Sequence, residues 1–387
     1  MATTTLTPTA RRSTLGYMPA LDGLRALAVV GVMLFHAVAN VMPGGFLGVS
    51  SFFTLSGFLI TTLLLDELTG TGHIHIGRFW ARRVKRLAPA ALTVTAAAIL
   101  FTRTPWAGWG HGMQASDGVA GAVNVMNWHV MTLADQPYRV LGPLGPYWSL
   151  GVEEQFYAVM AIGFLMLRRS PTTASRRLGR TAVGVWIGSA AIAVLMHSDH
   201  PREMFGTDVR AAELAAGALL AVAVQRVGVT WFSSDERRGR RLNAAGWAGV
   251  VLTVGLFVFA TLKQPWVRAG GFAALSIVHV AVISGAMSGR SLARVLAWRP
   301  FVEVGKLSYS LYLVHWPVML SLRGDRLNLG TAPLAVVRLS ASVAVAVVVH
   351  VLVERPVRRH WGAAPRPTII AWIGATLAVS ALALVAL

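Results

Sequence analysis

The chain reads as an all-α, polytopic transmembrane helix bundle, and three observations predict it. Hydrophobic residues make up 55% of its 387 positions and charged residues only 13%, with a mean hydropathy of +0.59; a soluble domain carries about a quarter charged residues. Apolar runs long enough to span a bilayer recur from one end of the sequence to the other. The basic residues behind the formal net charge of +19 fall in short clusters between those runs. That spacing follows the positive-inside rule and not the single basic face of a nucleic-acid binder, so nucleic acid is not an expected partner. With no cysteine, disulfides, thiolate metal sites and a cysteine acyl-enzyme are excluded.

Residues 1–19 form a cytoplasmic N-terminal segment whose Arg11 and Arg12 precede an apolar run, as in a signal sequence. Arg25 interrupts that run and no small-x-small cleavage site follows, so the first helix is expected to be retained. This first span, near 21–41, carries Arg25 and His36. Eleven positions at about 100° each bring the two side chains within roughly 20° of one helical face, about 16 Å apart along the axis. Ionisable groups inside a span are costly and mark functional sites by default.

The second run, 46–66, contains Ser50, Ser51, Thr54, Ser56 and Gly57. Small residues permit close helix packing, and the alternative is a cavity wall near His36. Ahead of the third run, 87–102, the segment FWARRVKRLAP places Arg82, Arg83, Lys85 and Arg86 at a membrane surface. They anchor the helix to anionic lipid and also suit the phosphates of an anionic donor. The run at 117–134 is expected to be re-entrant or interfacial, because a full crossing would put the cluster Arg168 to Arg180 on the wrong side.

The span 148–167 opens with PYWSLGVEEQFYAV, in which Trp148 and Tyr157 suggest interface anchors and Glu153 and Glu154 lie near the outer entrance. One carboxylate turned inward would orient an imidazole. After 181–197, the span 209–226 carries Arg210 and Glu213, helical neighbours expected to form an intramembrane ion pair. After 244–262 and 269–287, the span 304–322 aligns Ser308, Tyr309, Tyr312 and His315 in a polar stripe that resembles a cavity lining. The series closes with 332–353 and 367–387.

Five clusters, Arg78 to Arg86, Arg168 to Arg180, Arg226 to Arg241, Arg290 to Arg299 and Arg355 to Arg366, are expected to be cytoplasmic. The topology is then ten core spans ending near Leu352, with the N-terminus cytoplasmic. An eleventh span places the C-terminus outside, in a multi-pass protein of the cell membrane. The membrane domain covers 20–360 and the additional C-terminal helix 361–387. The absence of an internal repeat weakens an inverted-repeat transporter, the alternative from another functional class. No nucleophile elbow, zinc helix or phosphate loop is present. His73, His75, His197 and His200 read as loop residues without metal-ligand spacing.

Taken in order, Arg25-x10-His36, GFLGVSSFFTLSGFLIT, FWARRVKR, YWSLGVEEQFY, VRAAELAAGALLA, GKLSYSLYLVHWPV and VERPVRR resemble the bacterial acyltransferase-3 family of integral-membrane acyltransferases over roughly residues 18–360. The resemblance implies ten membrane helices that move an acyl group from cytoplasmic acyl-CoA to a hydroxyl, commonly of a sugar. The donor is a substrate, and no permanently bound cofactor or metal is implied. The family's Arg/Lys-x10-His motif falls on Arg25 and His36. Gly151 stands where the family usually has Ser, and Ser50 where it usually has an acid, which leaves Glu153 or Glu154 as the expected partner of His36.

The roles follow from what the resemblance implies. His36 takes the proton of the attacking hydroxyl or forms a transient acyl-imidazole. Arg25, Arg82, Arg83 and Arg86 hold CoA phosphates or developing oxyanion charge. Ser149, Tyr309, Tyr312 and His315 contact substrate. The chain also resembles stand-alone actinomycete enzymes that acylate macrolide antibiotics, so the expected acceptor is a macrolide or its sugar, in antibiotic biosynthesis. O-acetylation of a surface polysaccharide is the alternative.

Overall fold

The computed structural model describes residues 15–38, 41–107, 113–133, 142–167, 171–196, 201–361 and 364–387. Arg11, Arg12, Arg168, His197 and His200 lie outside the described residues. The helices in chain order are α1 (Pro19–Ala37), α2 (Gly48–Thr71), α3 (Ile76–Phe101), α4 (Ala115–Ala122), α5 (Met126–Thr132), α6 (Trp148–Leu167), α7 (Pro171–Leu195), α8 (Arg202–Phe205) and α9 (Thr207–Val227). They continue with α10 (Trp231–Ser234), α11 (Glu236–Phe259), α12 (Phe272–Met287), α13 (Ser291–Leu296), α14 (Arg299–Ser321), α15 (Gly324–Leu327), α16 (Thr331–Val349), α17 (Arg355–His360) and α18 (Pro365–Ala386). No strand occurs among the described residues, which makes the protein a polytopic all-α bundle.

Among the described residues nine helical segments are long and apolar enough to cross a membrane, those built on α1, α2, α3, α6, α7, α11, α12, α16 and α18. The sequence expectation of ten core spans and one more adds α9 and α14. These have 21 and 23 residues, long enough to span, but their polar side chains keep them below the apolarity of the other nine. Both are interior helices, so their polar groups meet protein instead of lipid.

The long helices alternate between two ends of the bundle. At one end lie the arginine clusters, where Lys85 donates to the Trp361 carbonyl and Arg290 to that of Glu236. At the other, Gly44 donates to the Phe257 carbonyl, Arg326 to that of Pro105 and Trp316 to that of Gly142. The last helix packs along α3 in the same direction, with Gly77 beside Pro365 at one end and Arg103 bonded to the Ala386 carbonyl at the other.

Within 113–133 the chain forms a short helical hairpin instead of a span. α4 and α5 have 8 and 7 residues, too few to span, and Asn124 between them adopts φ +59°. Gly118, in α4, faces Ile99 and Ala383 near the far end of α3 and α18, whereas Asn124 and Gly121 border a small cavity with Leu87, Ala91 and Glu154 at mid-helix depth. Non-helical backbone at that depth is tolerated only inside protein. Asn127 supplies part of the satisfaction, donating to the Phe205 carbonyl and Thr207 hydroxyl and accepting from Gln155. Gly151 makes room for the tip: a Cβ there would lie 2.7 Å from Asn127 Oδ1 and 2.9 Å from the Asn124 carbonyl oxygen.

Two close packings position the functional side chains. A Cβ on Gly57 or Gly217 would collide with the backbone of the facing helix, so α2 and α9 touch backbone to backbone. Gly305 likewise lets α14 press on α1 at Asp22, which brings the His36 and His315 helices together. Between α2, α6 and α12 the expected Arg210–Glu213 pair is present. Arg210 Nε donates to Glu213 Oε2 at 2.6 Å with both side chains fully buried. Its guanidinium sits over the Phe272 ring at 3.9 Å and near those of Phe53 and Trp148, and donates to the Met204 carbonyl. Trp148 and Tyr157 are therefore not interface anchors; both are buried, Trp148 against Phe53 and Arg210 and Tyr157 in a polar cluster described below.

Candidate active site

A cavity of about 2020 Å³ runs inward from the arginine-rich end. Its mouth carries Arg78, Arg82, Arg355, Arg358 and Arg359, and deeper in it meets Arg83, Arg86 and Arg25. Thus the four arginines singled out for an anionic donor, Arg25, Arg82, Arg83 and Arg86, share one wall system. They differ in freedom. Arg82 is exposed and paired with Glu67 Oε2 at 3.0 Å; Arg83 lies beside the Tyr157 ring, 5.8 Å from its centroid; Arg25 is bonded to Asp22 Oδ1 at 3.0 Å.

Asp22 was not among the expected site residues, although it precedes Arg25 by three positions, the spacing of helical neighbours. It also accepts from the Tyr17 hydroxyl at 2.9 Å. A second unexpected cluster closes another side of the mouth: Glu354, buried, accepts from Ser310 at 2.9 Å, contacts His350 Nδ1 at 2.9 Å and pairs with Arg358 at 3.1 Å. The spacing of 350, 354 and 358, each four apart, was the available signal.

The two adjacent carboxylates part company. Glu153 faces the large cavity and accepts from Tyr157 at 3.2 Å; Tyr157 in turn shares a 2.6 Å hydrogen bond with Ser56. Glu154, about 100° further round the helix, borders the small cavity at the hairpin tip with Tyr309 and Asn124. That cavity, about 20 Å³, has room for one water.

Neither is hydrogen-bonded to His36, which corrects the expected pairing. A shared helical face did not bring Arg25 and His36 into one compartment either, since Arg25 lines the cavity and His36 does not. The 16 Å of helix between them places His36 in the last turn of α1, at the end opposite the arginines. There its Nδ1 lies 3.2 Å from His315 Nε2 and 3.0 Å from the Val32 carbonyl oxygen, and its ring packs 4.7 Å from that of Trp316.

The tautomers follow from the partners. His315 Nδ1 faces only carbonyl oxygens, of Tyr312 at 2.8 Å and Leu311 at 3.2 Å, so in the neutral ring it carries the hydrogen. Its Nε2 is then an acceptor, and His36 Nδ1, placed between that nitrogen and the Val32 carbonyl, is the donor. The lone pair of His36 is left on Nε2, as a base or nucleophile requires.

Tyr312 separates His315 from the cavity. Its hydroxyl accepts from Ser149 at 2.7 Å and donates to the Pro146 carbonyl at 3.0 Å. Its ring lies 5.6 Å from that of His315. Tyr309 lines the cavity nearer its mouth and donates to the Leu87 carbonyl at 2.7 Å. The expected stripe therefore splits, with Ser308, Tyr309 and Tyr312 on the cavity and His315 behind it. Among the described residues no group of three or more His, Asp or Glu side chains is arranged to hold a metal ion.

The model of the acyltransferase-3 family, described as an acyltransferase domain, matches residues 18–355. An O-acetyltransferase OatA of Staphylococcus aureus strain NCTC 8325 / PS 47 is 33% identical over 359 residues, covering 89% of this chain and 57% of the relative. A putative O-acetyltransferase of strain MSSA476 is 33% identical over 315 residues, covering 78% and 51% respectively. The chain thus spans little more than half the length of these relatives. No solved structure matches it significantly. With the family model matched across nearly the whole bundle and the motif residues gathered around one cavity and one histidine pair, the chain belongs to the acyltransferase-3 family.

Proposed function

We propose that the protein transfers an acetyl group from acetyl-CoA, taken up at the arginine-rich end from the cytoplasm, to a hydroxyl of an envelope polysaccharide presented at the opposite end. The observation that carries this reading is the division of the site: a cationic cavity on one side of Tyr312, and His36, with its lone pair on Nε2, on the other. Arg82, Arg83, Arg86 and Arg358 suit the nucleotide phosphates of CoA. Once the Tyr312 ring has moved aside, the acceptor hydroxyl attacks the thioester carbonyl while His36 Nε2 takes its proton; the carbon–sulfur bond breaks, and the proton passes to the departing thiolate. Arg25 stands nearer the cavity's phosphate-binding wall than His36, so its role in this scheme is with the donor.

The acceptor assignment departs from the macrolide expected from sequence. The relatives reported above are named for O-acetyl transfer, and an acceptor fixed outside the membrane fits a histidine at the far end of the bundle. The test is membrane vesicles carrying the native chain or His36→Ala, supplied with radiolabelled acetyl-CoA on the cytoplasmic face. Alkali-labile label in isolated envelope polysaccharide, present with the native chain and lost with His36→Ala, is the expected result. Label on an added macrolide and not on polysaccharide would return the acceptor to that class, and substrate flux without acyl transfer would make the protein a transporter.

A further inference from the structure

The rim of the cavity carries one open aromatic ring among its charges. Tyr17 stands just ahead of α1 with 70% of its surface exposed, and it borders the cavity, where an interface anchor would face lipid. Its neighbours Leu15 and Met18 pack on the hydrophobic core, and its hydroxyl donates to Asp22 Oδ2 at 2.9 Å. With the chain held on both sides and the hydroxyl tethered, the ring is displayed in a set orientation. Charge around it is balanced. Asp22 pairs with Arg25 at 3.0 Å, and on α14 Lys306 pairs with Glu303 at 2.9 Å. This sector of the rim therefore offers a flat apolar face, whereas the sector formed by α3 and α17 offers the arginines.

We infer that Tyr17 is the platform on which the adenine of the donor stacks. This rests on the acetyl-CoA reading above. With the thioester at the inner end of the cavity beside Tyr312, the length of the donor fixes where its other groups fall. From sulfur to first phosphate the pantetheine arm has the reach of about four extended residues, roughly 14 Å. Glu303 lies about 14 Å from Tyr312 along α14, so the phosphates come level with the rim. The bond from Tyr309 to the Leu87 carbonyl ties α14 to α3, and Arg82 and Arg83 lie about one turn further out along α3, toward the phosphates. The ribose and base follow at the mouth itself. Gly305 packs on the backbone of Asp22, which sets the start of α1 beside this part of α14, and Tyr17 precedes that start. Adenine is flat and uncharged, so it suits the aromatic sector, as the phosphates suit the arginines.

The test is the ratio of kcat/KM for acetyl-CoA to that for S-acetyl-phosphopantetheine, which keeps the thioester, the arm and one phosphate but lacks the nucleoside. Isolated envelope polysaccharide is the acceptor, and the purified full chain is held in lipid nanodiscs. Loss of one base stack costs roughly five- to a hundredfold, so Tyr17→Ala is expected to lower the ratio about tenfold, through KM for acetyl-CoA. Should that variant fail to fold, Tyr17→Leu, also without an aromatic face, is expected to give the same fall. Tyr17→Phe keeps the ring and loses only the bond to Asp22, so its ratio stays near the native value. A folded Tyr17→Ala or Tyr17→Leu protein with the native ratio overturns the assignment. A fall in Tyr17→Phe as large as in Tyr17→Ala also overturns it, because the effect then runs through Asp22 and Arg25. No acetyl transfer by the native chain from either donor to any hydroxyl acceptor refutes the proposed activity instead.

Discussion

Removing His315 tests the reading of the histidine pair most directly. In the structure His36 Nδ1 has two acceptors, His315 Nε2 at 3.2 Å and the Val32 carbonyl at 3.0 Å. In His315→Ala the carbonyl remains, so His36 keeps its hydrogen on Nδ1 and its lone pair on Nε2. What is lost is one hydrogen bond to the imidazolium that forms when His36 takes a proton, together with the packing that orients the ring. A hydrogen bond to a charged group contributes about 1.5–3 kcal/mol, so kcat is expected to fall by roughly ten- to a hundredfold. His36→Ala removes the base itself and is expected to cost about 10²–10⁴. His315→Gln, whose amide oxygen can take the place of Nε2, recovers part of the loss. KM for acetyl-CoA stays near its native value in all three, because the arginines are untouched. The assay is steady-state acetyl transfer with both substrates varied, alongside a thermal melt to show that each variant is folded. A folded His315→Ala with native kcat, or a loss that appears in KM for the donor alone, refutes the relay.

Other consequences concern the donor wall and the frame. Arg83→Gln is expected to raise KM for acetyl-CoA more than Arg82→Gln, since Arg82 is exposed and already paired with Glu67; donor titrations at low and high salt would compare them. Glu213→Gln leaves the buried Arg210 without its counter-charge and is expected to destabilise the protein by about 3–5 kcal/mol, read as a large drop in melting temperature in detergent. Gly151→Ser puts a Cβ against the Asn124 carbonyl and is expected to cost about 1–3 kcal/mol, with increased proteolysis of the 113–133 hairpin as the specific sign. A Gly151→Ser protein as stable as the native chain would show that the tip has room the structure denies it.

Much of the frame was legible because it depends on quantities that a sequence carries. Hydropathy and the arginine clusters gave the long helices and their alternation, and the wrong-side argument for Arg168 to Arg180 gave a non-spanning 117–134. Pairs within one helix were legible in principle: Arg210–Glu213 was read correctly, whereas Asp22–Arg25 and His350–Glu354–Arg358 followed the same rule and went unread. Contacts between helices were another matter. Helical pitch states which face a side chain occupies but not what it faces, so His36 was given a carboxylate partner when the backbone contact at Gly305 had set His315 beside it. Adjacent Glu153 and Glu154 could not be told apart by sequence, since only packing decides which of two directions 100° apart meets a cavity. Trp148 looked like an interface anchor for the same reason; aromatic residues near a span's end serve lipid and core alike until a partner such as Arg210 is in place.

The buried Arg210 cluster, which packs on the cavity-lining Phe53, then acquires a reason within the proposed transfer reaction. Its guanidinium packs on Phe53 and Trp148 and ties α9 to α2 through Ser50 and to α8 through the Met204 carbonyl. The helices α2 and α6 carry Phe52 and Ser149, which line the cavity together with Tyr312, the residue between it and His315. A membrane enzyme that divides its substrates between two faces needs that partition closed until the acceptor is in place, or the thioester would be hydrolysed first. Apolar packing alone fixes such a wall weakly in a bilayer, where lipid is as apolar as the protein interior. A buried guanidinium specifies one arrangement instead, because shifting the helices would break its bonds to Ser50 and to the Met204 carbonyl and leave buried donors unpaired. On this argument loosening the cluster uncouples the enzyme: a folded Arg210→Lys variant, with its point charge in place of the planar fork, should hydrolyse acetyl-CoA without acceptor faster than the native chain while transferring acetyl more slowly. A variant that loses both activities in proportion would mean that Arg210 supports the fold and nothing more.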